Sequence, residues 1–395
     1  MARKQNGQNG QNGGQKTGSK VRVMMLGGLN EIGKNLAVIE YENDMIIIDC
    51  GLAFPDEDML GVDLVIPDFT YLEKNASKIR GILITHGHED HIGGLPYLLK
   101  ELDVPVYGTR LTLGILESKL AEHRLLGERE LVTVEAGTIL KLGVFKCEFI
   151  RVNHSIADAC MIAVRTPEGT ILHTGDFKLD VSPIGGEMMD LTRIGEYGRE
   201  GILLLMCEST NVEKPGFTPS ERKVGASLDM IFMTNTDKRI IIATFSSNVH
   251  RVQQIINSSA KFGRKVAVTG RSMLNVVGAA VRLGYMEVPK GVLIDIADIN
   301  RYPREQITIV TTGSQGEPMS ALYRMAFADH SQVELTPNDL VVLSSHAIPG
   351  NEKLVGRIIN EMYKKGVNVY HDEAVVHVSG HACQEELKLI HALTK

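Results

Sequence analysis

The chain has 395 residues, of which 43% are apolar and 23% charged, and this composition excludes a wholly disordered or collagen-like chain. A net charge of −6 excludes a protein that binds polyanions through a uniformly basic surface. Because no apolar run approaches the roughly 18 residues of a membrane-spanning helix and no hydrophobic signal opens the sequence, we expect a cytoplasmic protein without membrane contact.

The predicted elements fall into four segments. Residues 1–20 repeat Gln-Asn-Gly and contain no Val, Ile, Leu or Phe, which predicts a disordered polar arm with basic residues. From 21 to 210, short apolar runs that end in Gly, Asp or His predict strands with polar loops at their carboxyl ends. From 211 to 372, strands and helices alternate, which predicts an inserted domain with a parallel sheet flanked by helices. Residues 373–395 predict a strand, a glycine turn and a helix that return to the first domain. Helices are predicted at 96–102, 111–123, 220–233, 249–262, 273–283 and 354–365.

The strongest chemical signal is the run Thr-His-Gly-His-Glu-Asp-His at 85–91, directly after the apolar strand Gly-Ile-Leu-Ile. His86 and His88 can turn toward one ion, while Asp90 and His91 point to a neighbouring position. Imidazoles and carboxylates suit zinc and similar ions. A packed core is a poor explanation, because each of these polar groups would need its own buried partner.

Two further apolar strands end in residue types that bind metals. His154 follows Phe-Lys-Cys-Glu-Phe-Ile-Arg-Val-Asn, and Asp176 follows Gly-Thr-Ile-Leu-His-Thr-Gly. Either residue alone would be ordinary at the end of a strand. Together with the run at 85–91 they predict a binuclear site built from distant parts of the chain.

This arrangement of a His-x-His-x-Asp-His run, a later His and a later Asp resembles the metallo-β-lactamase superfamily. The resemblance implies an α/β fold, an αββα sandwich, with two divalent metal ions per chain, zinc being expected and manganese or magnesium the alternatives. Asp49, in Ile-Ile-Ile-Asp-Cys-Gly, matches the acid that orients the ligands from the second shell. The implied ligands are His86, His88 and His154 for one ion, Asp90 and His91 for the other, and Asp176 as the bridge.

The second half narrows the resemblance to one family. Glu208 in Cys-Glu-Ser-Thr-Asn is similar to the acidic motif that opens a β-CASP insertion, and His381 in His-Val-Ser-Gly-His is similar to the histidine motif near its close. With these motifs the chain resembles the bacterial ribonuclease J family from about residue 21 to its end. The resemblance implies 5′-to-3′ exonuclease and endonuclease activity on RNA, in mRNA decay and rRNA processing.

Hydrolysis of a phosphodiester needs a strong nucleophile and protonation of the departing 3′ oxygen. Two adjacent ions held by Asp176 would lower the pKa of a bound water from about 15.7 to about 7, giving a bridging hydroxide. His381 is the expected proton donor, and Glu208 would orient it or raise its pKa. A buried structural pair that ties two strands is the alternative for Glu208 and His381.

Exonucleolytic cleavage also needs a pocket for the 5′ phosphate, and polar loops at strand ends are suited to bind one. The family resemblance ranks one loop first, and two others are equally explained as ordinary strand-to-helix turns. The first loop comprises His377, Val378, Ser379, Gly380 and His381, and the others contain Ser246 and Ser247, and Arg271 and Ser272. The expected partners are single-stranded RNA with a 5′ monophosphate, a second copy or a paralogous subunit, and an RNA-degradation complex.

One departure from the family concerns the end of the sequence. Family members place a further metal-binding histidine beyond the helix that follows the position of His381, whereas this sequence stops at Lys395. We therefore expect a shortened chain whose second ion lacks one ligand. Two alternatives remain open. A metallo-hydrolase of small thioesters or lactones is one, because a binuclear site can also attack carbonyl groups, and a catalytically incomplete RNA-binding subunit is the other, because one expected ligand is missing.

Overall fold

The computed structural model describes residues 20–55, 59–348, 350–371 and 376–395. The predicted disordered arm lies outside these residues, apart from Lys20. No helix in the described ranges is both long and apolar enough to cross a bilayer.

The first sheet is mixed, with the order β1-β2-β3-β4-β5-β6 in the described residues. Its first three strands are antiparallel, and β3 to β6 run parallel. Its strands are β1 (Arg22–Gly27), β2 (Leu36–Tyr41), β3 (Asp44–Ile48), β4 (Ile79–Leu83), β5 (Val106–Gly108) and β6 (Leu131–Thr133).

The second sheet packs face to face on the first. Its order in the described residues is β11-β10-β9-β8-β7, antiparallel except for the parallel pair β10 and β11. Its strands are β7 (Ile139–Leu142), β8 (Phe145–Arg151), β9 (Cys160–Thr166), β10 (Gly169–His173) and β11 (Ile202–Met206). The core between the two sheets includes Ile39, Ile46 and Ile48 against Phe145, Phe149 and Ile162.

Strand β11 closes one side of the second sheet. All five of its residues are apolar, yet Leu203 is 55% exposed and Leu204 39% exposed. Within the described residues its strand neighbour is β10, so its other edge carries no ladder.

The third sheet is parallel throughout the described residues, with the order β14-β13-β15-β12-β16-β17. Alternate residues of its central strand β12 enter two different cores, Ile240 and Ile242 on one face and Ile241 on the other, because helices cover both faces. Its strands are β12 (Arg239–Ala243), β13 (Lys265–Thr269), β14 (Leu293–Ile294), β15 (Ile307–Thr311), β16 (Asp339–Leu343) and β17 (Asn368–Tyr370).

The helices pack on the outer faces of the first two sheets and around the third, which confirms the predicted αββα sandwich with an added parallel α/β unit. Three short 3₁₀ helices, Ala76–Lys78, Ile296–Arg301 and Arg304–Gln306, complete the described elements. The α-helices are α1 (Thr70–Lys74), α2 (Glu89–Ile92), α3 (Leu95–Glu101), α4 (Arg110–Glu122), α5 (Leu191–Glu200), α6 (Arg222–Thr234), α7 (Val249–Lys261), α8 (Arg271–Leu283), α9 (Ala321–Ala326), α10 (Glu352–Lys364) and α11 (Gln384–Leu393).

The predicted strand in the segment before α11 is wrong for the residues that are described. Residues 376–379 form no strand, because side chains bind their backbone acceptors in place of a ladder. The Ser344 hydroxyl donates to the Val376 carbonyl, and the Arg251 guanidinium donates to the Val378 carbonyl at 3.3 Å. This loop therefore takes the shape that its side-chain partners impose.

Candidate metal centre

The carboxylate of Asp49 organises the base of the site. Asp49 follows β3, is 1% exposed and has a φ of +61°, a conformation uncommon for a residue other than glycine. Its two oxygens accept from the Thr85 backbone N–H and hydroxyl, each at 2.8 Å. The same carboxylate accepts from Nδ1 of His91 at 2.8 Å, which leaves Nε2 of His91 facing the site.

Three imidazoles converge beside this base. Nδ1 of His88 lies 3.0 Å from Nε2 of His86 and 3.1 Å from Nε2 of His154. His154 donates from Nδ1 to the Gly380 carbonyl at 2.7 Å, so its Nε2 carries a lone pair. The Thr85 hydroxyl gives its one proton to Asp49 and accepts from Nδ1 of His86 at 3.0 Å, so Nε2 of His86 also carries a lone pair.

These lone pairs fit a cation better than they fit one another. His88 can supply one Nδ1 proton at most, so it can satisfy His86 or His154 but not both. Burial lowers the pKa of His88 to about 3 and, with neighbouring imidazoles, holds the pKa values of His86 and His154 well below their usual range. The three rings are therefore neutral, which is the state in which imidazole binds a divalent metal.

A second set of ligand types lies next to the first. Nε2 of His91 is 3.3 Å from Oδ2 of Asp176 and 3.6 Å from Oδ2 of Asp90. Burial would lower the pKa of His91, but the charges of Asp176, Asp90 and Asp49 outweigh it and raise that pKa well above its usual value. The position thus favours a cation, either a proton or a metal ion.

Asp176 lies between the two sets. Its Oδ2 is 3.8 Å from Nε2 of both His86 and His154, in addition to its contact with His91. Ligand atoms within 4.8 Å of one another occur in the groups His86, His88 and His154; His86, His91 and Asp176; and His154, Asp176 and His381. Asp176 therefore has the location that a bridging ligand requires.

Glu208 and His381 form a pair at the rim of the cluster. Oε2 of Glu208 accepts from Nδ1 of His381 at 2.9 Å, and Oε1 accepts from the Phe177 backbone N–H at 2.8 Å. Burial would lower the pKa of His381, but the carboxylates of Glu208 and Asp176 raise it to about 9. Neither residue lies in a strand, and His381 is 28% exposed, so the alternative of a buried tie between two strands does not describe this pair.

The remaining predicted substrate residues differ in how they relate to the cluster. The Gly380 carbonyl contacts His154 directly, and the Ser379 hydroxyl accepts from the Asn211 amide at 2.9 Å. Ser246 and Ser247 lie half-buried between β12 and α7, whereas Arg271 and Ser272 are exposed in the first turn of α8. The structure brings both of these loops to the carboxyl edge of the third sheet, and their contact with substrate stays a prediction.

Sequence reasoning missed residues that act through long-range contacts. The Asn35 amide lies 3.2 Å from Nε2 of His91 and 3.0 Å from the Asp90 carbonyl. Arg251 binds the loop that precedes His381. Neither residue belongs to a metal-binding or catalytic residue pattern, so a sequence signal for them does not exist without the fold.

Comparison with known families assigns both halves of the chain. The family described as "Metallo-beta-lactamase superfamily" matches residues 30–185, and the family described as "Ribonuclease J, beta-CASP domain" matches residues 237–362. The limits of the predicted domains themselves remain predictions.

Named relatives match along almost the whole chain. Ribonuclease J of Synechocystis sp. is 47% identical over 95% of this chain and 59% of its own length, and ribonuclease J of Helicobacter pylori is 48% identical over 95% and 55%. Ribonuclease J2 of Bacillus subtilis is 42% identical over 96% of this chain and 68% of its own length. The chain thus spans less than two thirds of the length of the first two relatives.

A solved structure shares the fold. The crystal structure of a protein of unknown function from Enterococcus faecalis V583 superposes with a TM-score of 0.69, covering 95% of this chain and 92% of that one. Its identity of 19% supports likeness of fold alone.

Proposed function

The chain belongs to the ribonuclease J family, and on that premise we propose that it is a metal-dependent ribonuclease with 5′-to-3′ exonuclease and endonuclease activity. We place this activity in mRNA decay and rRNA processing. The observation that carries the proposal is the position of His381, whose Nδ1 is 2.9 Å from Glu208 and 3.8 Å from Asp176. Residues far apart in the chain thereby bring a proton-transfer group to the metal-ligand cluster.

The ligand set supports a site for two divalent ions, with zinc best suited to its many imidazoles. In the proposal, His86, His88 and His154 would hold one ion, His91 and Asp90 would hold the other, and Asp176 would bridge them. Ions bound there supply a lowered pKa for water and neutralise charge on the scissile phosphate. Manganese and magnesium are the alternatives to be compared with zinc.

The chain's own residues then divide the remaining work. Glu208 accepts from Nδ1 of His381 and so orients the ring, which assigns proton transfer to Nε2. His381 gives that proton to the 3′ oxygen as the phosphodiester bond breaks. Asp49 keeps Nδ1 of His91 occupied, so that Nε2 faces the ligand cluster.

The loop at 377–381 is the proposed contact for the 5′ phosphate of single-stranded RNA. Its backbone, the Ser379 hydroxyl and the His377 ring offer the neutral donors that a monophosphate binds. Ser246 and Ser247, and Arg271 and Ser272, are proposed to extend this pocket. We further propose a cytoplasmic location and assembly with a second copy or a paralogous subunit in an RNA-degradation complex.

Cleavage of a defined RNA by the metal-loaded chain tests the proposal. The substrate is a 5′-monophosphorylated, 3′-labelled single strand, and zinc, manganese and magnesium are added separately to chelator-treated protein. We expect progressive release of mononucleotides, lost in His88→Ala but retained in His391→Ala, a matched control whose imidazole is exposed in α11. Cleavage that persists in His88→Ala would assign the activity to another protein or site.

The salt dependence of turnover distinguishes a ribonuclease from the alternative of a small-substrate hydrolase. RNA binding releases counterions, so turnover at low RNA concentration should fall steeply as salt rises. Turnover of a neutral thioester or lactone should respond little. Rapid, salt-insensitive turnover of such an ester without RNA cleavage would favour the alternative.

A further inference from the structure

A fully buried guanidinium links the third sheet to the loop that precedes His381. Arg251, in the first turn of α7, is 0% exposed, and all five of its N–H donors have acceptors. Nε and Nη2 bind the two carboxylate oxygens of Glu221 at 2.8 Å each. The other acceptors are the Ser344 carbonyl at 2.8 Å, Nδ1 of His377 at 2.9 Å and the Val378 carbonyl at 3.3 Å.

Arginine is the side chain that this position requires. A buried charge is costly unless it is paired and fully hydrogen-bonded, and Glu221 supplies the opposite charge through a two-pronged contact. Lysine could keep the charge, but its three donors cannot reproduce a planar fork with five. A change to lysine would therefore release at least two of the acceptors, among them groups in the loop.

Two residues after Val378, the same loop contacts the proposed metal ligand His154. The Gly380 carbonyl accepts from Nδ1 of His154 at 2.7 Å and so sets the direction of Nε2. Arg251 holds residues 377 and 378, and Asn211 holds Ser379. Arg251 is thus connected to His154 by hydrogen bonds to the loop, by the loop backbone itself, and by the hydrogen bond between Gly380 and His154.

We propose that Arg251 is a positioning residue for the metal centre, acting through the loop at 377–380 on the orientation of His154. Arg251 touches no metal ligand itself. By fixing His377 and Val378, it keeps the Gly380 carbonyl where His154 can donate to it. The role deepens the proposed function, on which it rests for its consequence in RNA cleavage, because the same loop is the proposed phosphate contact.

Metal affinity is the decisive readout, since it requires no RNA. We compare Arg251→Lys with Arg239→Lys by titrating zinc against a chromophoric chelator. Arg239 is a matched control: it is 4% exposed and forms a two-pronged pair with Asp339 at 2.8 and 2.9 Å, but at the amino end of β12, the edge opposite the loop. Loss of a residue that hydrogen-bonds directly to a metal ligand weakens metal binding about 10- to 100-fold. Arg251 contacts His154 only through the loop, so we expect Arg251→Lys to weaken zinc binding by up to about tenfold.

The control separates positioning from general support of the fold. Arg239→Lys should lower the unfolding midpoint as Arg251→Lys does, but leave zinc affinity as in the unchanged protein. With monophosphorylated RNA, Arg251→Lys should raise KM more than it lowers kcat at saturating zinc. Equal zinc affinity in Arg251→Lys and the unchanged protein, or equal weakening in both variants, would overturn the proposal.

If Arg251→Lys does not fold, a second variant, Glu221→Gln, tests the same positioning role. Glu221→Gln keeps the shape of the partner and removes its charge, so it should loosen the guanidinium and weaken zinc binding in the same direction. Unchanged zinc affinity in Glu221→Gln would then overturn the positioning role. Failure of the unchanged, zinc-loaded chain to cleave RNA would instead reject the proposed function and leave the zinc comparison valid.

Discussion

Gly380→Ala tests how strictly the loop at 377–380 holds His154, a proposed metal ligand. A Cβ at this position would lie 2.7 Å from Cε1 and 2.8 Å from Nδ1 of His154, and 2.8 Å from Oγ of Ser155. Ordinary contact between carbon atoms begins near 3.5 Å, so the imidazole must retreat by about 0.8 Å. The backbone does not forbid alanine, because Gly380 is not among the residues with positive φ.

The expected loss is in metal affinity rather than in folding. A metal site tolerates deviations of about 0.2 Å in ligand distance, so a retreat of about 0.8 Å should remove most of the contribution of His154. We expect affinity for zinc to fall about 10- to 100-fold, equivalent to about 1.4 to 2.8 kcal/mol. Zinc competition with a chelator and zinc content after gel filtration measure the change.

Gly278→Ala is the matched control for this substitution. Gly278 lies exposed within α8, and a Cβ there meets nothing within 4 Å. Alanine should stabilise the helix by up to about 1 kcal/mol and leave zinc affinity unchanged. If Gly380→Ala binds zinc as tightly as Gly278→Ala, the reasoning about the contact between the loop and His154 is refuted.

Three further predictions address the bridge, the proton donor and the support of the fold. Asp176→Ala should abolish nearly all RNA cleavage and remove most bound metal, since both ligand sets face this carboxylate; metal analysis showing full occupancy would contradict its bridging position. His381→Ala should retain metal but slow cleavage about 10²- to 10⁴-fold in single-turnover assays, and an emptied site would show that His381 is chiefly a ligand. Glu386→Gln should lower the free energy of unfolding by about 1 to 3 kcal/mol in urea titrations, because its buried carboxylate accepts from the backbone N–H groups of residues 179, 218 and 383. Glu385→Gln, at an exposed neighbour, should change that free energy by less than about 1 kcal/mol, and equal losses would argue against the role given to Glu386.

Elements with strong periodicity could be predicted from the sequence, and elements defined by distant partners could not. The helices predicted at 111–123 and 249–262 are confirmed within one residue as α4 and α7. Helix α4 contains a continuous buried run at 111–116, and α7 has one apolar face. Helix α5 escaped prediction because its ten residues include two glycines and four charged residues. The short strands β6 and β7 are partly exposed and lack a strong apolar run.

The candidate site also combines residues that a local pattern predicts with contacts that depend on distant parts of the chain. Ligand types at strand ends were predictable because the residues at 85–91, His154 and Asp176 each follow an apolar run. The contact of Gly380 with His154 spans 226 residues, and that of Arg251 with His377 spans 126. No local propensity encodes such contacts, which exist only once the sheets are assembled.

The exposed leucines of the edge strand β11 have a consequence for how this polypeptide behaves in solution. In the described residues the outer edge of β11 pairs with no strand. Backbone N–H and C=O groups on such an edge, beside leucines that face water, are a template onto which another extended segment can add. Preparations of the 395-residue chain should therefore associate as protein concentration rises, and light scattering should detect it. Leu203→Lys, a gatekeeping charge placed on the 55%-exposed position, should suppress that association while zinc binding is unaffected.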